Sequence, residues 1–261
     1  MPRLARITVY PIKALPGVDV DHASLTAGGA LRHDREYAIV DAQGNYINGK
    51  RTPAIHRLDA WCAIDGDTVR VTLHSGASKE TFALDDSAQL AALAARLSHY
   101  FGEPVHIERD TQGGFPDDPE ASGPTVIATA SIIEAATWYA GFTATDIRRR
   151  FRANLELDAC PAFWEDRLFG DPDTTVKFRV GAAQLLGTNP CKRCVVPTRD
   201  PSSGDALAGF QRTFVQQRKA TLPAWANRAR FDFYYRFATN TRAADDVEGK
   251  IIRIGDAVEM L

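Results

Sequence analysis

The sequence predicts a mainly β protein with accessory helices, an α+β fold with β-barrel architecture. Two observations carry this prediction. Roughly the first 80 residues consist of short β-branched runs separated by turn signals. In the rest of the chain, short strands alternate with long excursions, some of which have helical periodicity. No internal repeat and no series of parallel β-α-β units is visible, so a doubly wound fold is not indicated.

The N-terminal part begins with a predicted strand over residues 5–13, in which Pro11 favours an edge position. Two hairpins follow, and in the second the turn pair is Asp65-Gly66. The hairpins join residues 36–40 to 45–47 and residues 61–64 to 69–73.

Three helices are predicted. Asp86-Ser87 opens the first, and Gly102 ends it. Ser131 and Glu134 form a capping box for a short second helix, which Gly141 ends. The third covers residues 205–218, with Leu207, Phe210 and Phe214 facing inward.

The C-terminal part contains three further strand-like regions. Residues 151–157 alternate between apolar and polar side chains, and an apolar run covers 176–187. The chain closes with a predicted hairpin over 250–261, around Gly255-Asp256. The aperiodic stretch 111–124 indicates a linker between an N-terminal region, 1–110, and a C-terminal domain, 125–261.

Composition excludes several classes of function. A net charge of -2 gives no basic field for nucleic acid or an anionic membrane, and neither is expected as a partner. We see no signal peptide and no run long enough to span a membrane, so the expected compartment is the cytoplasm. All four cysteines are expected to be reduced, with Cys62 and Cys160 as buried structural thiols.

The stretch from Asn189 to Pro201 concentrates the chemistry. Cys191 and Cys194 flank two cations, and neighbouring cations lower the pKa of a thiol. A structural zinc site is disfavoured because the six histidines lie far upstream without a paired spacing. A thioredoxin-like pair is disfavoured because Val195-Val196-Pro197 opens a helix poorly. The cysteine spacings match no iron–sulfur cluster, and none is expected in this chain.

The remaining interpretation is a single thiolate in a basic setting, either catalytic or bound to a soft transition metal. Scattered cations favour an anionic cofactor nearby, although each taken alone is better explained as a surface charge. These cations are Lys13, Arg32, Arg35 and Arg152. The run Arg148-Arg149-Arg150 is interpreted as a solvated face.

Taken in order, these segments resemble the MOSC family, named for the C-terminal domain of molybdenum cofactor sulfurase. The resemblance is to the form with its own N-terminal β-barrel region, as in the mitochondrial amidoxime-reducing component and its bacterial relatives. It covers nearly the whole chain. The segments that carry it are Tyr10-Pro11-Ile12-Lys13, Leu31 with Asp34-Arg35, Phe151-Arg152-Ala153-Asn154-Leu155, Phe163 with Glu165-Asp166, Cys191 to Cys194 with Thr198 and Asp200-Pro201, and Ile254-Gly255-Asp256.

The resemblance implies a MOSC β-barrel packed with an N-terminal β-barrel-like region. It also implies that Cys194 ligates molybdenum held by a molybdopterin. The cofactor's phosphate and pterin would then be bound by Lys13, Arg35, Arg152 and Arg193, with Asn154 nearby. Lys192 could add a phosphate contact, whereas Ala14 stands where many relatives place serine. Asp200 is a candidate proton donor, and a turn-capping role is the alternative.

The function implied is a molybdenum-cofactor-dependent reductase of N-hydroxylated or N-oxygenated small molecules. No flavin or NAD fingerprint is visible, so electrons would come from a separate redox protein. The alternative is a non-catalytic carrier of molybdenum cofactor or of sulfur, because MOSC domains also occur behind pyridoxal-phosphate-dependent desulfurase domains.

Overall fold

The structure, a computed structural model, describes residues 1–244 and 246–261. Within these ranges strands predominate over helices, which confirms the predicted α+β fold. The strands are β1 (Arg3–Val9), β2 (Val18–Val20), β3 (His22–Ser24), β4 (Tyr37–Asp41), β5 (Ala60–Asp65), β6 (Thr68–Ser75), β7 (Ser78–Ala83), β8 (Val105–Arg109), β9 (Val126–Ala128), β10 (Leu155–Asp158), β11 (Val176–Val180), β12 (Ala183–Lys192), β13 (Arg236–Ala243), β14 (Ile251–Arg253) and β15 (Val258–Met260). The helices are α1 (Ser87–Phe101), α2 (Thr129–Thr137), α3 (Ala144–Phe151) and α4 (Phe210–Ala220).

The largest sheet has eight strands in the order β15-β11-β12-β13-β9-β10-β1-β2. Among the described residues its edge strands, β15 and β2, do not pair with each other, so the sheet is open rather than a closed barrel. Only β9 and β10 run parallel in it, and α2 and α3 connect them. A three-stranded sheet, β5-β6-β7, and the pairs β4-β8 and β14-β3 complete the pairing.

Two apolar cores frame the middle of the molecule. The N-terminal core packs α1 against the three-stranded sheet, with Leu93, Leu97 and Val71 almost fully buried. The aromatic core lies between α3, α4 and β13, where Phe151, Phe210 and Phe214 contact one another. Burying one such side chain contributes roughly 1.5–3 kcal/mol, so both cores rigidify what lies between them. None of the helices in the described ranges combines the length and apolar character needed to cross a membrane.

Local signals predicted two elements well. Helix α1 starts after Asp86, whose carboxylate accepts from the amides of Ala88 and Gln89, and it ends at Gly102 with φ 73°. The hairpin β5-β6 is also confirmed, with Asp65 paired to Thr68. In contrast, the predicted edge position of the first strand is wrong because β1 lies between β10 and β2.

The predicted capping box is wrong. Ser131 lies inside α2, where its hydroxyl donates to the buried Glu165 carboxylate at 2.8 Å. The real capping box opens α3, where the Thr143 side chain accepts from the Asp146 amide and Asp146 accepts from the Thr143 amide. Both sequences fit the same spacing rule, and tertiary burial of Ser131 decides between them.

Three strand or helix boundaries were also misassigned. Residues 151–157 are not one strand, because Phe151 ends α3 and the chain turns at Arg152 before β10. The final segments do not pair with each other as a hairpin, since β14 pairs with β3 and β15 with β11. Helix α4 begins only at Phe210, and Leu207 is exposed.

A buried carboxyl group lies beneath the large sheet. Glu165 is 1% exposed, and its Oε2 accepts from Ser131 Oγ and from the Ala128 amide at 3.2 Å. Burial, with a further contribution from neighbouring Asp166, raises the pKa of Glu165 to about 8. At neutral pH the folded protein therefore keeps this carboxyl protonated.

This pKa predicts a stability difference between wild type and Glu165→Gln that depends on pH. In the unfolded chain Glu165 ionises near its ordinary pKa of 4.5, whereas in the folded state it holds its proton up to about pH 8. Its contribution is therefore complete below pH 4.5 and is lost as the pH rises toward 8. We expect the stability of Glu165→Gln relative to wild type to rise over that range in urea unfolding, while the exposed control Glu120→Gln stays parallel to wild type. A constant difference for Glu165→Gln would contradict the assignment.

Candidate functional site

A cavity of about 1050 Å³ lies between the two apolar cores. Ile55 and Leu58 of the N-terminal core form one wall, and Ile147 and Phe151 of the aromatic core form the other. Twelve lysine and arginine residues line it, against six aspartate and glutamate residues. Because a cleft lined by an excess of one sign of charge attracts the opposite sign, the cavity favours an anionic ligand.

The structure brings together residues that are far apart in the sequence. All six predicted cofactor-binding residues line the cavity, together with both cysteines of the 191–194 segment. They are Lys13, Arg35, Arg152, Asn154, Lys192, Arg193, Cys191 and Cys194. Asp200 does not line it, and Arg32 forms an exposed ion pair with Asp67 on the surface.

Lys13 enters the cavity from the turn after β1. Its backbone amide donates to the Tyr37 carbonyl at 2.8 Å, which fixes the turn on β4. Its ammonium group donates to Asp117 Oδ1 at 2.8 Å and to the carbonyls of Phe115 and Pro116. Burial lowers the pKa of Lys13, and the Asp117 carboxylate acts in the opposite direction.

Arg35 is held by a network built on Asp34 and Asn154. The Arg35 guanidinium contacts Asp34, whose Oδ1 accepts from Asn154 Nδ2 at 2.9 Å. Asn154 also donates to the Thr8 carbonyl and accepts from Thr125, and it is 1% exposed. The hydrogen-bonding groups of Asn154 are therefore engaged within the protein, which gives it a positioning role toward Arg35.

Arg152 is the cation with the most available hydrogen-bonding capacity. Its guanidinium lies 4.1 Å from the centroid of the Tyr10 ring and has no ion-pair or hydrogen-bond partner in residues 1–244 and 246–261. Its backbone is left-handed, with φ 54°, at the end of α3. Ala14 and Arg35 line the same cavity and also have positive φ. Such backbone strain concentrates at binding and catalytic sites.

The two thiols occupy different settings. Cys191 lies near the end of β12, and Arg193 Nη1 donates to its sulfur at 3.0 Å. Cys194 follows in the loop, where the amide of Val196 donates to its sulfur at 3.5 Å. Both are half-buried. Burial raises the pKa of Cys62 to about 12 and that of Cys160 to about 11, which suits structural thiols.

Arg150 fixes the loop that follows Cys194. It is 6% exposed, stacks over Phe142 and donates to the carbonyls of Pro197 and Arg199. The expectation that Arg148-Arg149-Arg150 is a solvated face is wrong for Arg150, and Arg148 also pairs with Glu156. A periodicity argument could not show this because the carbonyls that Arg150 contacts lie about 50 residues later in the chain.

Asp200 caps the turn after this loop. Its Oδ1 accepts from the amides of Ser202 and Ser203 at 2.8 and 2.9 Å. Partial burial would raise the pKa of Asp200, but these two hydrogen bonds and nearby Arg150 hold it below its usual range. A carboxylate stabilised in this way suits turn capping better than proton donation.

Sequence reasoning missed two residues of the cavity. Tyr10 carries the guanidinium groups of both Arg152 and Arg35 on its ring, and burial raises its pKa. Tyr10 belongs to the Tyr10-Pro11-Ile12-Lys13 segment, but the sequence alone does not show that its ring is buried beneath the two guanidinium groups. Asp117, inside the aperiodic 111–124 stretch, had no local pattern that could have indicated its ion pair with Lys13.

The fold and the cavity define the chain as an open-sheet α+β protein with a thiol-bearing cleft in which cationic side chains outnumber acidic ones. It belongs to the MOSC domain family. The model of the MOSC domain matches residues 127–259, and that of the MOSC N-terminal beta barrel domain matches residues 1–100.

Curated proteins of two kinds resemble the chain. Mitochondrial amidoxime-reducing component 1 of Xenopus laevis is 25% identical over 98% of this chain and 81% of its own length. The human protein of the same name is 24% identical over 77% of this chain and 67% of its own length. The molybdenum cofactor sulfurase of Drosophila willistoni is 33% identical over 35% of this chain, which is only 12% of that enzyme.

Proposed function

We propose that this protein is a molybdenum-cofactor-dependent oxidoreductase that reduces N-hydroxylated or N-oxygenated small molecules. Membership of the MOSC family and the similarity to two amidoxime-reducing components support this proposal. The observation that carries it is the pairing, in one cavity, of a half-buried thiol at Cys194 with an unpartnered guanidinium at Arg152. A thiolate is a preferred ligand of soft metals, and a guanidinium is a preferred partner of a phosphate monoester.

The residues of the cavity fit the cofactor chemically. Cys194 would supply one thiolate to the metal, while Lys13, Arg35 and Arg152 would hold the phosphate by charge-assisted hydrogen bonds. Lys192 is exposed at the rim and Arg193 is directed to Cys191, so these two are proposed as further contacts to the cofactor. In the part of the chain described, no group of three or more His, Cys, Asp or Glu side chains is arranged to hold a metal.

The proposed reaction needs two electrons and two protons for each N–O bond broken, and it yields water and the compound without that oxygen, which is the N–H compound when the substrate is N-hydroxylated. The molybdenum cofactor, when bound, supplies the two-electron redox change and the centre that takes the oxygen atom. The electrons would come from a separate redox protein. The two apolar cores form part of the cavity walls, and these apolar surroundings strengthen the interactions of the cations with the charges of the cofactor.

The test is metal and pterin analysis of protein made in a host that synthesises molybdenum cofactor. We expect near-stoichiometric molybdenum in wild type and loss of at least about tenfold in Cys194→Ala. Changing a residue that only hydrogen-bonds to a metal ligand already costs about 10–100-fold in metal affinity, and losing the ligand itself costs more. Cys191→Ala, the matched control, should keep its metal. Wild type with molybdenum should also reduce an amidoxime with an artificial electron donor.

Two outcomes would contradict the proposal. Equal molybdenum in wild type and Cys194→Ala would remove the assigned ligand. A fully loaded wild type without N-reductive activity would shift the assignment to a carrier, and a reductant-sensitive persulfide on Cys191 or Cys194, seen by intact mass, would then identify sulfur as the cargo.

A further inference from the structure

Asp117 lies in the middle of the positive part of the cavity. It belongs to the aperiodic segment 111–124, and its carboxylate is 2.8 Å from the ammonium nitrogen of Lys13. The Lys13 side chain is 9% exposed, whereas that of Asp117 is 74% exposed and lines the cavity. The acid therefore extends into open cavity space, toward a cation that is itself held in the wall.

The charge of Asp117 acts on more than one of the cavity's cations. The surrounding protein displaces solvent and would raise the pKa of Asp117, but Lys13, Arg35 and Lys50 hold it well below its usual range. Asp117 in turn favours the charged forms of Arg152 and Arg193. A carboxylate at this position neutralises part of the field that a bound anion would use.

The backbone on both sides of Asp117 is anchored. The Phe115 amide donates to the Arg35 carbonyl at 2.8 Å, and a Cβ on Gly114 would lie 2.8 Å from the carbonyl oxygen of Asp34, so only glycine permits this close approach. On the other side, Asp118 accepts from Asn240 at 3.1 Å. The segment is thus held between the turn that precedes β4 and strand β13.

Asp117 itself is not anchored through its backbone. Its amide has no hydrogen-bond partner among the residues that the structure describes, and its one side-chain partner there is Lys13. The carboxylate can therefore turn away from Lys13 by side-chain rotation, without breaking a backbone hydrogen bond. The two anchors would stay in place during this rotation.

We propose that the Asp117 carboxylate occupies the position at which a phosphate monoester of the ligand binds, so that the ligand and Asp117 compete for Lys13. This inference depends on the proposed function in one respect, which is the identification of the ligand as the molybdenum cofactor. A phosphate monoester offers more acceptor oxygens and more charge than one carboxylate, so it displaces Asp117 when it is present. In its absence, Asp117 keeps the buried Lys13 ammonium group paired, so a weakly charged anion must displace this ion pair in order to bind.

The test measures binding of inorganic phosphate to cofactor-free protein by isothermal titration calorimetry in a low-salt buffer. Asp117→Asn preserves shape and still accepts from Lys13, but it removes the competing charge. We expect it to bind phosphate about 10-fold to 100-fold more tightly than wild type, the effect of losing one charge-assisted hydrogen bond that must otherwise be broken. Glu120→Gln is the matched control because it removes the same charge from an exposed position in the same segment, and it should bind like wild type.

A second variant locates the site. Lys13→Met combined with Asp117→Asn should lose the gained affinity, and phosphate should shift the Asp117 side-chain carbon signal of wild type in NMR spectra. Asp117→Asn binding no tighter than Glu120→Gln would overturn the proposal, and so would a gain that survives Lys13→Met. If Asp117→Asn binds phosphate more tightly but the protein never acquires molybdenum, the proposed function alone is refuted. If wild type acquires molybdenum but Asp117→Asn binds phosphate no more tightly than wild type, this inference alone is refuted.

Discussion

Replacing Arg152 by methionine is expected to weaken retention of an anionic cofactor on the order of 100-fold, because two hydrogen bonds to a charged group contribute about 3 kcal/mol together. The guanidinium of Arg152 has no partner among the described residues and rests on Tyr10, so its donors are free for a ligand. Methionine keeps the apolar stem and its packing but removes the charge and the planar fork. Bound pterin, released and quantified by fluorescence, is the measurement.

Two variants make this prediction specific. Arg152→Lys should give an intermediate loss, since an ammonium keeps the charge but cannot form two parallel hydrogen bonds. Arg253→Met, on the exposed strand β14, removes the same charge away from the cavity and should retain pterin like wild type. If Arg152→Met kept its pterin in full, Arg152 would not be an anion-binding residue of this cavity.

The candidate site shows which inferences a sequence supports. The chemistry of the 191–194 segment was visible locally, because thiols and cations lie next to each other in the chain. The convergence of Lys13, Arg35 and Arg152 on that segment was not visible locally; the residue types suggested an anionic cofactor, and the family resemblance assigned these cations to it. Fold topology creates this convergence, since β1, the turn before β4 and α3 are distant in sequence but border one cavity.

The errors share one physical cause. Ser131 and Arg150 were assigned from local spacing. The Ser131 hydroxyl in fact contacts Glu165, and the Arg150 guanidinium contacts the 197–199 loop. Buried polar groups must find partners, and those partners are often distant in sequence. Elements whose stability is local, such as α1 with its Asp86 cap, were therefore predicted correctly, whereas residues satisfied by tertiary contacts were not.

The largest expected loss of stability concerns Arg218 of α4. It is 1% exposed, pairs with buried Asp166 and stacks between the rings of Phe163 and Phe231 at 4.2 and 4.9 Å from their centroids. Arg218→Met keeps much of the volume but leaves Asp166 buried without its counter-charge. Breaking a buried pair on one side destabilises by about 3–5 kcal/mol, and we expect that loss in urea unfolding at pH 7.

A double substitution separates the charge from the packing. Asp166→Asn with Arg218→Met removes both charges, so it should recover a large part of the lost free energy, and the cycle should give a coupling of at least about 1 kcal/mol. Burial already raises the pKa of Asp166, and the loss in Arg218→Met should shrink at low pH, where Asp166 is neutral. If the losses of stability in Asp166→Asn and in Arg218→Met simply add in the double variant, Arg218 acts by packing alone.

The Arg218–Asp166 pair also supports a wall of the cavity. Helix α4, which carries Arg218, packs Phe210 and Phe214 against Phe151, the residue before Arg152. The pair therefore stabilises the wall from which the Arg152 guanidinium extends.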